Sequence, residues 1–222
     1  LPMITGSIYV TIGAIILGVP IGSLTATYLA QFCNHKVYRF LKPCINLMAG
    51  IPSIVYGFFA LVVLVPIIRD IFGGTGMNII TASILLGIMI LPTIVNISES
   101  AIRAVPQSYY EGSIALGASH ERAIISVVLP AARSGILSSV ILGIGRAIGE
   151  TMAVILVAGN QARMPAGLTK GVRTLTTNIV MEMAYAADEH RQALIATATV
   201  LFVFILIING TFLIIKRRAN NG

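Results

Sequence analysis

The sequence is short of charge and contains no tryptophan. Only 10 % of its 222 residues are Asp, Glu, Lys or Arg, against roughly 25 % in soluble domains. Hydrophobic residues make up 56 % of the chain, and the mean hydropathy is +0.92. These values exclude a water-soluble globular protein, and we expect an integral membrane protein.

Aspartate, histidine and cysteine are also scarce. The only aspartates are Asp70 and Asp188, and the three histidines lie near span ends or in loops, which argues against an intramembrane protease. Cys33 and Cys44 have no CxxC partner, so they indicate neither a metal site nor a disulfide framework. The chain has no Walker A, HExxH or GxSxG sequence, so we do not expect it to be an enzyme itself.

Basic residues outnumber acidic ones, but they are dispersed along the chain. The net charge is +7, yet there is no dense basic cluster, and nucleic acid is not expected as a partner. In membrane proteins, Lys and Arg concentrate in cytoplasmic loops. Their distribution therefore predicts the orientation of the chain in the membrane.

Five apolar segments are long enough to cross a bilayer, whose hydrocarbon core requires about 20 residues of helix. The predicted spans cover residues 4–32, 43–68, 78–98, 135–158 and 192–215. The loop between the last two, 159–191, is too polar to span. Within that loop, residues 172–185 are expected to form an interfacial helix that includes Thr174, Thr176, Thr177 and Asn178.

Lys and Arg are distributed unequally between the two sides. Nine lie in the connections after spans one and three and in the C-terminal tail, five lie in the other connections, and Arg146 falls inside a span. The connection after span three and the C-terminus are therefore predicted to be cytoplasmic, and the 159–191 loop external. Five spans then place Leu1 outside. A cytoplasmic native N-terminus would require one more span upstream, so we expect six spans in the full chain.

The cytoplasmic connection contains the one long stretch that is neither apolar nor a simple loop, residues 106–130. Pro106 suits the first turn of a helix, Gly117 can adopt the left-handed conformation that ends it, and Ser119 can cap the next helix. Pro130 is expected to end that second helix. Two short helices joined by a glycine bend indicate a docking element rather than a span.

This stretch resembles the EAA loop of bacterial ABC-importer permeases, in which Glu-Ala-Ala, three residues, Gly, nine residues and Ile-x-Leu-Pro follow in order. The matching residues are Glu111, Gly112, Ser113, Gly117, Val127, Leu129 and Pro130. Two alanines are replaced by Gly and Ser, and the isoleucine by Val, so every departure stays small or apolar. The resemblance implies that the loop seats in a groove of an ATP-hydrolysing partner; the alternative is a helix pair that only links two spans.

Two ionisable residues, Arg146 and Glu150, lie inside the fourth predicted span, in GIGRAIGETMAV. An ionised group at the bilayer centre costs about 2.5–3.5 kcal/mol or more, so it rarely lacks a role. The i, i+4 spacing lets the two share a helix face and partly neutralise each other. Two interpretations stay open: an ion pair that fixes helix packing, or a path for an oxyanion, which a planar guanidinium binds in bidentate fashion.

Three further segments extend the resemblance over nearly the whole chain. Residues 49–66, 146–151 and 172–183 resemble the PstC-type permease of phosphate importers. The resemblance implies an all-α integral membrane protein of the type I ABC importer permease (MetI-like) fold, in the bacterial plasma membrane, with one permease domain over 1–222. It also implies a role of Arg146 and Glu150 in phosphate passage. The PstA-type permease shares the loop and the Gly-Glu pair and is the nearest alternative.

The same resemblance implies the partners. They are an ABC ATPase dimer, which would carry ATP and magnesium, a paralogous permease chain, an external phosphate-binding protein, phosphate and membrane lipid. No cofactor or metal is expected in this chain itself. Sulfate or molybdate is an alternative cargo that Arg146 alone cannot distinguish, and a passive channel would have no use for the EAA loop.

Two further residue pairs are weaker candidates for functional roles. Glu99 and Arg103 form another i, i+4 pair, in the favourable order, and their position at the end of span three favours a solvated surface pair over a gate. Pro52 and Gly57 are candidates for a kink in span two that exposes backbone to a path, and ordinary helix packing is an equal alternative.

Overall fold

The computed structural model describes the backbone of residues 1–220 and the side chains of 1–211 and 214. The basic side chains of the predicted cytoplasmic tail, 216–218, lie outside the described ones. The helices are α1 (Pro2–Thr27), α2 (His35–Gly50), α3 (Ser53–Phe59), α4 (Val65–Phe72), α5 (Ile79–Arg103), α6 (Gln107–Ala115), α7 (His120–Ala123), α8 (Leu129–Gly149), α9 (Val154–Val157), α10 (Leu175–Met183) and α11 (Asp188–Asn220).

Three π-helical turns extend or join these helices. They are Tyr28–Phe32 after α1, Ala60–Leu64 between α3 and α4, and Ile124–Val128 between α7 and α8. The described chain therefore has five continuous helices long and apolar enough to cross a membrane: Pro2–Phe32, Ser53–Phe72, Ile79–Arg103, His120–Gly149 and Asp188–Thr211. The predicted all-α membrane architecture with five spans is confirmed.

The second span begins later than predicted, at Ser53 rather than at residue 43. Ile51 and Pro52 are extended, with ψ angles of 127° and 141°. Ile51 is disfavoured in the helical region because it precedes a proline. The preceding residues form the separate helix α2, none of which is buried. This helix carries Lys36 as well as an exposed Phe40, the pattern of a helix that lies in the membrane interface.

The fourth span differs from the prediction at its start, because Pro130 does not end the helix. The π-helical turn Ile124–Val128 ends two residues before the proline, and the chain continues from α7 into α8 without a break. Proline usually clashes with the carbonyl four residues earlier, and an inserted π turn is a recognised way to absorb such a distortion. Pro66 follows the π turn Ala60–Leu64 in the same manner.

Helix α5 is the centre of the bundle, since 15 of its 25 residues are buried. Helix α1 packs closely on it: a Cβ atom on Gly18 would lie 2.7 Å from the side chain of Ile90, and one on Gly22 would lie 2.8 Å from that of Ile94. Small residues allow such close helix contacts in membranes. Helix α5 also meets α8, where the buried hydroxyls of Ser98 and Ser139 are 2.7 Å apart.

The bundle has two ends, which we call the loop end and the cap end. The loop end holds residues 104–119, and the cap end holds residues 159–187. At the cap end, the amide of Leu175 donates to Ser7 Oγ at 3.0 Å. The predicted interfacial helix is present as α10, but its first turn, which contains Thr176, Thr177 and Asn178, is buried in the protein.

Candidate functional site: the α6 loop and the polar face of α5

The loop end presents α6, a helix with no buried residue that ends in a sharp bend. Gly117 has a φ of +88°, so the expected left-handed conformation is present. Its amide bonds to Ile114 O at 2.9 Å, and that of Ala118 bonds to Ser113 O at 3.2 Å, which together form a Schellman motif. Ser119 caps α7 by accepting from the amide of Arg122 at 3.4 Å, as predicted.

The inner side of this loop is anchored to the bundle. His120 Nδ1 lies 2.9 Å from the hydroxyl of Tyr110 on α6, and its ring meets Phe32, at the end of the first span, edge-on at a centroid distance of 5.1 Å. Ala123 and Ile124 are fully buried. The α6 loop can therefore pass a displacement to the first and fourth spans.

The EAA-like residues fall into two groups in space. Glu111, Gly112, Ser113 and Gly117 lie on the exposed loop, whereas Val127, Leu129 and Pro130 lie in the long helix that begins at α7. Among the loop residues, Leu116 is 92 % exposed. An apolar side chain so far out of the protein suits insertion into a partner's groove.

Arg146 and Glu150 do not form the i, i+4 ion pair that was one of the two interpretations left open by the sequence. Helix α8 ends at Gly149, and Glu150 is extended, with φ −70° and ψ 128°. Its carboxylate Oε1 instead accepts the amides of Thr151 and Ala153, each at 3.1 Å. The shared helix face was the wrong expectation, because the helix ends between the two residues.

The break after Gly149 lies inside the bundle. Leu86 lines a small recess with Glu150, and it is seven residues, or about 10 Å, along α5 from the cap end. Non-helical backbone at membrane depth is tolerated only where protein or a water-filled cavity covers it. Here the carbonyl of Glu150 accepts a hydrogen bond from the Thr176 hydroxyl at 3.1 Å. Gly57 lets α3 approach the backbone of Ala153, since a Cβ atom on Gly57 would lie 2.8 Å from Ala153 Cα.

Arg146 points instead to a polar face of α5 that consists of Thr93, Asn96 and Ser100. Its Nη1 atom donates to Thr93 Oγ1 at 3.3 Å. The three residues are spaced i, i+3, i+7, and none of them is buried, whereas their neighbours Ile94 and Val95 are. Polar side chains at membrane depth face protein or water rather than lipid. Sequence reasoning missed this face, although the spacing of Thr93, Asn96 and Ser100 could have revealed it.

Glu99 lies three residues after Asn96 on α5. It is 2 % exposed and bonds to two cations. Its carboxylate lies 2.7 Å from Lys42 Nζ and 2.9 Å from Arg103 Nε. Arg103 also donates to the carbonyl of Leu29 at 2.8 Å. The expected solvated surface pair is therefore wrong: α2 brings a second cation, Lys42, to the end of α5 and encloses the carboxylate.

Comparison with known proteins identifies the family. The description "Binding-protein-dependent transport system inner membrane component" matches residues 18–221. The chain belongs to this family. Permeases of this family serve ABC importers together with ATPase subunits, on which ATP is hydrolysed, and an external substrate-binding protein. The chain is accordingly a multi-pass permease subunit of an ABC importer.

Two relatives support the predicted resemblance. The chain is 41 % identical to the probable ABC transporter permease protein YqgH of Bacillus subtilis over 83 % of its own length, and it spans 60 % of that protein. It is 31 % identical to the phosphate transport system permease protein PstC of Mesorhizobium japonicum over 99 % of its length, spanning 74 % of that protein. The resemblance to PstC-type permeases is confirmed.

Solved structures confirm the fold. The inward-facing MetNI methionine ABC transporter contains a chain with a TM-score of 0.78 and 21 % identity, with coverage of 96 % of this chain and 93 % of that one. An amino acid ABC transporter gives a TM-score of 0.68 at 20 % identity, covering 97 % and 92 %. The type I (MetI-like) permease fold is therefore established.

The capping role of Glu150 makes a prediction about stability. Glu150→Gln keeps an oxygen that can accept the two amides and is expected to melt close to the original protein in detergent. Glu150→Ala leaves both amides without this acceptor and should cost about 0.5–2 kcal/mol, the usual range for a lost cap. Equal destabilisation by both substitutions would show that the charge, rather than the cap, is what stabilises this region.

Proposed function

We propose that this chain is the channel-forming permease subunit of an ATP-driven importer of inorganic phosphate that works by alternating access. The observation that carries the proposal is the polar face of α5, where Arg146 bonds to Thr93 at membrane depth. Among the described residues, no carboxylate lies within ion-pair distance of Arg146. Its charge is therefore available to an oxyanion.

The chemistry of this face suits transient binding of phosphate. A guanidinium offers a bidentate fit to two oxygens, while the hydroxyl and amide groups of Thr93 and Asn96 are neutral partners. A conducting site must bind strongly enough to admit the anion and weakly enough to release it. The likeness to PstC supports phosphate as the cargo, and sulfate and molybdate remain the alternatives to test.

The proposed orientation places the loop end and the C-terminus in the cytoplasm of a bacterial cell. The excess of Lys and Arg on that side supports it. The cap end would then receive an external phosphate-binding protein. A paralogous permease chain would cover the polar face of α5 and complete the path, and Glu150 would hold the helix break at the outer part of that path.

ATP-driven closure of an ATPase dimer would move α6, and the anchor of the loop explains how the motion spreads. Tyr110 and His120 connect α6 to α7, and Phe32 connects His120 to the first span. Since α7 is continuous with the helix that carries Arg146, a shift of the loop would reach the polar face without passing through a flexible segment.

The docking role of the loop is tested by charge reversal. Glu111 is exposed on α6 and forms no ion pair with any of the described side chains, so Glu111→Lys should leave the fold intact. The amount of ATPase that co-purifies with the permease is expected to fall at least about tenfold, the equivalent of 1.4 kcal/mol in binding free energy. Glu189→Lys makes the same change at the cap end and should retain the ATPase.

A stricter version replaces residues 107–119 with the same amino acids in scrambled order. If the ATPase still co-purified with this variant at the original yield, the proposed docking surface would be ruled out.

The cargo and the role of Arg146 are tested together in liposomes that contain the full-length assembly and its binding protein. Phosphate, and not sulfate, should stimulate ATP hydrolysis and be taken up. Arg146→Gln should lower phosphate uptake at least about tenfold, because a hydrogen bond to a charged group contributes about 1.5–3 kcal/mol. Arg146→Lys should keep part of the uptake activity. Arg133 is an exposed arginine of the same helix, and Arg133→Gln should keep all of the activity.

Two results would count against this proposal. Equal or greater stimulation by sulfate would remove the phosphate assignment while leaving the importer. Unchanged phosphate uptake by Arg146→Gln would make Arg146 a packing residue.

A further inference from the structure

Lys42 connects the interfacial helix α2 to the same face of α5 that holds Arg146. Its Nζ atom donates to Asn96 Oδ1 at 2.8 Å and to Glu99 Oε2 at 2.7 Å. Asn96 lies three residues after Thr93, the partner of Arg146, which is about 4.5 Å along the helix. The two cations therefore bond to successive turns of one polar face.

The charges around Lys42 do not balance. Glu99 is shared between Lys42 and Arg103, so two positive charges face one negative charge. Residues 1–69 contain no Asp or Glu, and neither cation pairs with another carboxylate in the described part of the chain. One net positive charge therefore remains at this end of the polar face.

Both cations are partly exposed, and Lys42 has one N–H donor that no described group accepts. Arg103 is held by Glu99, by the carbonyl of Leu29 and by the ring of Tyr38, which lies 4.9 Å from the guanidinium carbon. The Lys42 side chain is 24 % exposed, and its ammonium has three N–H donors, of which two are used. The neighbouring Asn46 accepts from Asn96 at 3.2 Å and exposes its own amide donors.

We infer that Lys42 and Asn46 form a second oxyanion site, one helical turn from Arg146 and nearer the loop end. The inference rests on the proposed function, because the anion would reach this site from Arg146 before release. The carboxylate of Glu99, 2.7 Å from the ammonium, offsets much of the attraction that Lys42 exerts on an anion. A site weakened in this way lets the anion leave, as the last site of a conduction path must.

A purely structural clamp between α2 and α5 is the competing explanation, and the two differ in their response to an anion. A clamp needs only the Lys42–Glu99 bond, so an added anion leaves the reactivity of the Lys42 amine unchanged. An oxyanion site makes the reactivity of the Lys42 amine depend on the anion, because a bound phosphate covers its remaining donor.

The direct test is chemical labelling of lysine in the nucleotide-free assembly. An amine-reactive reagent is applied with phosphate, with sulfate, or with chloride at matched ionic strength, and peptides are quantified by mass spectrometry. Phosphate is expected to slow labelling of Lys42 several-fold and to leave Lys36, an exposed lysine of the same helix, unchanged. Equal labelling of Lys42 in all three salts would overturn the inference.

Variants provide a second measurement that separates a site from a clamp. Lys42→Gln should lower phosphate uptake at least about tenfold, or 1.4 kcal/mol, and Lys42→Arg should retain most of it. The double variant Lys42→Gln/Glu99→Gln removes both charges and restores a neutral hydrogen-bonding pair. Recovery of uptake in the double variant would identify a clamp, whereas continued loss supports the site.

Failure of this inference is distinguishable from failure of the proposed function. If phosphate uptake depends on Arg146 but Lys42 is neither protected by phosphate nor required, only the second site is wrong. If sulfate or molybdate proves to be the cargo, the phosphate assignment is wrong, and protection of Lys42 by that oxyanion still decides the inference.

Discussion

The structure depends on how α5 meets two opposite demands inside a bilayer. One side of the helix must be apolar and closely packed, and glycines of α1 and α8 bring their backbones against Ile90 and Ile94 to achieve this. The other side carries Thr93, Asn96 and Ser100, whose polar groups cannot face lipid without cost. Because the apolar side is anchored on both flanks, the polar side is held towards the helices that bring Arg146 and Lys42.

The departures from regular helix follow from the same constraint. In hydrocarbon every backbone polar group needs an internal partner, so a helix can be distorted only where the protein provides one. Pro66 and Pro130 follow π-helical turns, and the carboxylate of Glu150 accepts two amides beyond the break after Gly149. These distortions allow long helices to bend and end inside the bundle.

Much of the fold could be predicted from the sequence, because the dominant forces are local. Hydropathy predicted the spans, and the left-handed Gly117 and the cap at Ser119 predicted the loop bend. The errors arose where tertiary structure overrules a local rule. A π turn carries the chain through Pro130, a helix end separates Glu150 from Arg146, and the position of α2, which no spacing indicates, encloses Glu99.

The central claim is that the polar face of α5 lines the path of the anion, and cysteine accessibility tests it most directly. In a full assembly with Cys33 and Cys44 replaced by Ser, single cysteines are introduced at Thr93 and Asn96. Ile94, on the packed side, and Ile88, which is 39 % exposed on the apolar surface, serve as controls. A hydrophilic thiol reagent reacts with the thiolate of a cysteine, which forms where water reaches the side chain. The reagent should therefore modify the two polar-face cysteines, and phosphate should slow that reaction. Rates at Thr93 and Asn96 no higher than at Ile88, or unaffected by phosphate, would contradict the account.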